Sequence, residues 1–141
     1  MELTMQVEPT GWGWLTVTGE QVSVRLRASY VSDVLTKVVG VIADAANGAG
    51  SAQALLGLEP GGATFSIERR DEAWSILSVQ VSEDRRAQGG FEFRVRTASL
   101  ARLGLGLAAS VDREAYLESW SQQGTWPTEA LARLHHLASQ A

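Results

Sequence analysis

The chain reads as an α+β protein: an antiparallel sheet of about six or seven strands with helices packed on one face, in the order β-β-β-α-β-β-β-β-α-α. Three observations predict this. Apolar and polar residues alternate at period two in several short runs, which gives each run one apolar and one polar face. Three longer stretches instead carry apolar residues at helical spacing. Pairs such as Gly19-Glu20, Asn47-Gly48 and Pro60-Gly61 punctuate the runs where turns are needed.

The stretch from Glu59 to Thr97 anchors the reading. Phe65 and Ile67 alternate with Thr64, Ser66 and Glu68; Leu77, Val79 and Val81 alternate with Ser78, Gln80 and Ser82; Phe91, Phe93 and Val95 alternate with Glu92, Arg94 and Arg96. These are three strands in succession, with the apolar row as the buried face. Arg70 to Ala73 turns the chain between the first two, and Glu83 to Gly90 makes a longer, mobile loop before the third.

From the start of the chain, Leu3, Met5 and Val7 alternate with Thr4 and Gln6, a first strand closed by Pro9 and Gly11. Residues 14–18 and 21–27 flank Gly19-Glu20, a two-residue loop whose leading glycine suits a type II′ hairpin. That turn opposes Thr18 to Gln21, Val17 to Val22 and Leu15 to Val24, and sets Trp14 opposite Arg25 with Trp12 near Arg27. Ser29 or Ser32 then caps a helix whose stripe is Val31, Val34, Leu35, Val38, Val41, Ile42 and Ala45. Its β-branched content makes it a modest helix former, dependent on docking against the sheet. Asn47-Gly48 stops it. A strand over 53–58 follows, with Ala54, Leu56 and Leu58 on one face, and Glu59-Pro60-Gly61-Gly62 forms a tight turn.

Leu100, Leu103, Leu107 and Val111 mark a second helix from about Ala98. Tyr116, Leu117 and Trp120 keep helical spacing but point to the other side. Either the helix breaks near Ser110–Asp112, or one long helix lies between the sheet and a C-terminal helix; the second arrangement is the preferred expectation. Pro127 and Glu129 suit the first turn of that C-terminal helix, and Leu131, Leu134 and Leu137 line its apolar face.

With 141 residues, the expectation is one domain over 1–141. Cysteine is absent, which excludes disulfides, thiolate catalysis and sulfur-ligated metals. A net charge of −4 argues against a dedicated nucleic-acid binder. Residues 1–7 lack a basic start and an apolar run, and no stretch reaches transmembrane length, so the expected setting is the cytoplasm, without membrane contact. Lys37 is the only lysine among 12 basic residues. A GC-rich coding bias accounts for this, since it favours Arg, Ala and Gly together.

No motif for catalysis, a metal or a cofactor emerges. His135 and His136 are neighbours, and adjacent helical positions diverge instead of converging on a ligand. The acidic pairs Asp71-Glu72 and Glu83-Asp84 lie in turns beside Arg69-Arg70 and Arg85-Arg86, where charges balance in solvent. Leu103-Gly104-Leu105-Gly106-Leu107 sits inside a helical pattern, not between a strand and a helix, so it is no phosphate loop. Its glycines instead let the helix approach a neighbour. Tyr116, Trp120 and Trp126 suggest a cluster locking the C-terminal helix to the second one.

A surface carries the functional expectation. Trp14, Arg25, Arg27, Arg70, Arg94 and Arg96 fall on the polar face of the proposed strands. Tryptophan and arginine are enriched at binding hot spots. If the first hairpin and the 91–96 strand share a sheet, these residues form one exposed face.

Several motifs together carry a likeness. They are Ser32-Asp33-Val34-Leu35 after an early hairpin, Glu59-Pro60-Gly61-Gly62 before two strands, Phe91-x-Phe93-x-Val95, Tyr116-x-x-x-Trp120, and Trp126-Pro127 ahead of Leu131-x-x-Leu134. In these the chain, over residues 22 to 137, resembles a group of small uncharacterised bacterial α+β proteins. The resemblance implies the fold and no catalytic residues; domains of this look include immunity-type and other partner-binding proteins. The expected function is therefore a non-catalytic protein-binding module, immunity-like or regulatory, binding a protein partner or a second copy. The alternative is a small-ligand carrier or enzyme with a pocket between the sheet and the second helix, lined by Tyr116, Glu118 or His135.

Overall fold

The structure, a computed structural model, describes residues 1–8, 12–29, 33–58, 61–83, 86–120 and 126–140, with the side chains of all but 29, 83, 86–88, 119 and 120. The strands are β1 (Glu2–Val7), β2 (Trp12–Thr18), β3 (Ser23–Ser29), β4 (Ser51–Gly57), β5 (Gly62–Arg69), β6 (Trp74–Glu83) and β7 (Arg86–Arg96). The helices are α1 (Val34–Ala46), α2 (Leu100–Ala109), α3 (Arg113–Trp120) and α4 (Thr128–Ser139), with a 3-10 turn at Thr97–Ser99. The expected α+β order holds, with one helix more.

The strands form two antiparallel sheets, not one: sheet A is β1-β2-β3 and sheet B is β4-β5-β6-β7. Each is a meander of sequence neighbours, the arrangement that tight turns dictate. Between β3 and β4 the chain makes α1 instead of a turn, so nothing local sets their register. Ala28 of β3 and Leu58, just past the end of β4, form an isolated antiparallel bridge. At the other end of sheet A, Gly19 lies against Phe93 of β7, where an added Cβ would fall 2.8 Å from Cδ1 of the ring. Sheet A thus touches both edge strands of sheet B.

The first hairpin keeps its faces but changes its register. Thr18 opposes Ser23, Val17 opposes Val24, Leu15 opposes Leu26 and Trp14 opposes Arg27. The chain turns at Glu20-Gln21, closed by a 2.8 Å bond from Gly19 N–H to the Val22 carbonyl. Compared with the expected pairing, each β2 residue meets a partner two positions further on. A shift of two preserves inward and outward rows. The shift brings Leu26 and Ala28 into the core and leaves Val22 48% exposed outside the strand.

Val34, Leu35, Val38, Val41, Ile42 and Ala45 of α1 are buried as their spacing predicts, together with Val39 and Ala43. Asp33 caps this helix by accepting from Thr36 N–H at 3.2 Å. Of the caps expected, Ser32 lies outside the described residues, as does the Ser29 side chain. Asn47 ends the helix, and Gly48 takes φ 103°, a left-handed value suited to glycine. Gly61, φ 86°, closes the turn before β5, while Glu59 and Pro60 lie outside the described residues.

Two further expectations are corrected. The loop expected at 83–90 is mostly strand: β6 and β7 continue through it, with a register shift between Val81 and Ser82. Asp84 and Arg85 lie outside the described residues. The helical stretch from residue 98 breaks, so no long sandwiched helix exists. Ser110 Oγ donates to the Leu107 carbonyl at 2.6 Å, and Asp112 Oδ1 accepts from Ala115 N–H at 3.1 Å to begin α3. That break is the reason the apolar side of the sequence pattern changes at this point.

The inward rows of both sheets and the apolar sides of the helices form one core. Phe65, Ile67, Leu77, Val79, Phe93 and Val95 lie in it, whereas Phe91, expected among them, is 36% exposed. Helix α1 packs on β4 and β5, α2 on β1, and α4 on α1 and α2. A Cβ at Gly104 would stand 2.6 Å from Leu134 Cδ1 and 3.1 Å from Ile42 Cγ2, so this glycine sets the close approach of α2 to its neighbours; Gly106 has nothing within 4 Å. Among the described residues no helix is long and apolar enough to cross a membrane.

Candidate functional site

Five of the six expected surface residues fall into two groups on two sheets, because β2–β3 and β7 do not share one. On the outer face of sheet A, the Arg25 guanidinium lies 4.0 Å from the Trp14 ring centre and Arg27 lies 4.0 Å from Trp12 and 6.0 Å from Trp14. The expected partners do meet, but as diagonal neighbours and not as opposed ones. Each guanidinium lies over an indole, a cation–π pairing internal to sheet A. Arg70, in the β5–β6 turn, stands 3.7 Å from Glu68, both well exposed. It belongs to neither aromatic stack.

The second group is centred on Trp74, the first residue of β6. Asp71 sets that strand start: its Oδ1 accepts from Ala73 N–H at 2.8 Å and from Trp74 N–H at 2.7 Å, a local turn that short acidic side chains form readily. The register opposes Trp74 to Arg96, with Arg94 two residues along. The guanidinium carbons of Arg94 and Arg96 lie 3.8 Å and 4.6 Å from the Trp74 ring centre. Stacking uses the flat face of a guanidinium and leaves its N–H edges for an acceptor. Among the described residues neither Arg94 nor Arg96 makes an ion pair.

Beside this stack opens a cleft of about 400 Å³ between β7 and α2. Arg94, Arg96, Trp74 and Arg102 line it, together with the apolar Val95, Leu103 and Gly106 and with Met1, Glu2, Leu3 and Glu20. An adjoining hollow of about 470 Å³ shares Met1, Glu20, Trp74 and Arg94 and extends to Gln21, Val22, Glu92 and Phe93. Three guanidinium groups from two elements thus converge on one opening. Such a set can hold a carboxylate or phosphate by bidentate, charge-assisted hydrogen bonds.

Arg102 is a site residue that the sequence reading missed. It lies between Leu100 and Leu103 in the helical stripe, and only its exposed position on α2 separates it from them. Trp74 carried a usable signal: it shares even parity with Ile76 and Ser78, the row that faces outward. Tyr116, Glu118 and His135, the lining expected of a pocket between the sheet and the second helix, do not line this cleft.

Tyr116 belongs to a separate, buried polar centre. Its hydroxyl donates to Asp33 Oδ1, the same oxygen that caps α1. Burial, and then the bond to Asp33, push the phenol well above its ordinary value. A phenol held protonated in this way is neither a base nor a nucleophile near neutral pH; it ties α3 to α1. Trp126 packs edge-on against it with ring centres 6.1 Å apart, and Arg113 lies 5.3 Å from the Trp126 ring centre. The expected aromatic cluster is therefore present in Tyr116 and Trp126, while the Trp120 side chain lies outside the described residues.

His135 and His136 are exposed on α4, with His136 Nε2 at 3.1 Å from Gln140 Nε2. No group of three or more His, Asp or Glu residues poised for a metal occurs among the described residues. Comparison of the chain with protein families, with curated proteins and with solved structures finds no match.

Proposed function

We propose that this chain is a non-catalytic protein-binding module that meets its partner at the Trp74 end of sheet B. The observation that carries the reading is the pair Arg94 and Arg96, stacked on one indole with no carboxylate partner among the described residues, beside a cleft that Arg102 also lines. Pre-stacked arginines lose little side-chain freedom on binding, and arginine with tryptophan is the composition of interface hot spots. Arg25 and Arg27 are given no part in this contact. An immunity-like or regulatory role fits a module of this size.

The test is a titration with poly-glutamate at low salt, followed by tryptophan fluorescence. Saturable binding is expected for the native chain, weaker by about tenfold or more in Arg94→Ala/Arg96→Ala and unchanged in Arg25→Ala/Arg27→Ala. Equal binding by all three proteins would overturn the assignment. A small-ligand carrier is the second reading, favoured by a cleft volume within the small-molecule range.

A further inference from the structure

We propose that the free edge of β7 accepts an acidic segment in extended conformation as an added strand of sheet B, its carboxylates meeting Arg94, Arg96 and Arg102. This rests on the protein-binding reading and adds the partner's backbone conformation and charge.

Two sheets give four edge strands, β1, β3, β4 and β7. An unpaired edge presents a row of N–H and C=O groups and invites another strand, so proteins tend to engage or cover it. On β1, Met5 N–H donates to Ser110 Oγ at 2.9 Å. On β3, Ala28 bridges Leu58. On β4, the Leu55 carbonyl accepts from Lys37 Nζ at 3.0 Å. Over Phe91–Arg96 of β7 no hydrogen bond outside the β6 ladder occurs among the described residues; Gly19 meets only the Phe93 ring, and Arg94–Arg96 line the cleft.

The hydrogen-bond phase of β7 follows from one bond. Thr97 N–H donates to the Ala73 carbonyl at 2.9 Å, so Thr97 and Ala73 form a bonded pair and Arg96 and Trp74 a non-bonded one. Bonded and non-bonded pairs alternate along an antiparallel ladder. The main-chain groups of Arg96, Arg94 and Glu92 therefore point away from β6, to the open side. The residues that offer backbone partners are thus the same ones that carry the two stacked arginines.

Charge selects the occupant. A second copy offers one carboxylate in this row, Glu92, so antiparallel pairing of β7 with β7 can set a carboxylate opposite Arg94 or Arg96 but not both. An incoming strand with Asp or Glu beside Arg94 and Arg96 makes charge-assisted bonds in addition to the ladder, the mode by which extended peptides augment an open sheet edge. Glu2 and Glu20 also line the cleft, so the acidic residues of the incoming strand belong beside Arg94, Arg96 and Arg102 and not beside these two.

The test uses the whole chain and two synthetic peptides in which Glu alternates with Val, one with an ordinary backbone and one N-methylated at alternate residues. Strand addition predicts binding of the ordinary peptide, slowing of amide exchange at Glu92, Arg94 and Arg96, and a loss of about tenfold or more in affinity on N-methylation. If both peptides bind equally and Arg94→Ala/Arg96→Ala weakens both, the charge-based reading stands and strand addition is rejected. If neither peptide nor poly-glutamate binds, both readings fail. Preferential binding of RNA or inorganic polyphosphate, without the exchange change on β7, also rejects strand addition.

Discussion

The Tyr116 hydroxyl and the Asp33 carboxylate, 83 residues apart, share one hydrogen bond that joins the first turn of α3 to the N-cap of α1. Asp33 Oδ1 accepts from a backbone N–H of α1 and from a side-chain hydroxyl of α3 at once. Phenylalanine at 116 removes the donor while keeping the ring's packing on Trp126. A bond to a charged acceptor contributes about 1.5–3 kcal/mol, so Tyr116→Phe is expected to lose an amount in that range in urea unfolding, with the slope unchanged.

The same phenol makes stability depend on alkaline pH. Its folded value is raised above the unfolded one, near 10, so the folded state keeps the proton when the unfolded chain has lost it. That contribution is complete below about pH 10 and is lost as pH rises further, by at most about 1.4 kcal/mol per pH unit. Urea midpoints measured from pH 8 to 11 should fall above pH 10 for the native chain. The difference between it and Tyr116→Phe should shrink over the same interval.

Gly104 and Gly106 provide an internal contrast within α2. Alanine raises helix propensity by about 1 kcal/mol at either position. At Gly106 nothing opposes the new methyl, and Gly106→Ala should gain up to that amount. At Gly104 it meets Leu134 and Ile42, and overpacking costs of about 1–3 kcal/mol outweigh the gain. Thermal midpoints should move in opposite directions; a rise for both would mean that α4 shifts freely.

Ser110 both ends α2 and closes the β1 edge. Ser110→Ala removes the acceptor for Met5 N–H and leaves that half-buried donor unmet, at a cost of about 1–3 kcal/mol. Faster amide exchange confined to Met5 and its neighbours on β1 is the expected signature.

Legibility in the sequence followed the range of the interaction concerned. Period-two alternation in 64–67, 77–81 and 91–95 located three strands, and the stripe of α1 was readable because each buried residue repeats at helical spacing. The hairpin faces were readable from Leu15 and Val17, but the register was not. The choice depends on whether Leu26 and Ala28 find room in the core, which is a tertiary matter. The division into two sheets was unreadable for the same reason: Ala28–Leu58 and Gly19–Phe93 are contacts between distant segments. Of the surface residues, Arg94 and Arg96 came together as parity implies. Arg102 joins them only because α2, packed on β1, lines the same cleft as β7.

The bond between Met5 and Ser110 also has a temporal side. The two residues are 105 positions apart, and α2, which packs on β1, is synthesised long after sheet A. At ~5–20 residues per second the ribosome takes roughly 5–20 s to cover that distance. During that interval Leu3, Met5, Leu15 and Val17 form the apolar side of a three-stranded meander without its helix. A chain stalled in translation before residue 100 is therefore expected to aggregate more readily than the full chain, which sedimentation of the stalled chains would show.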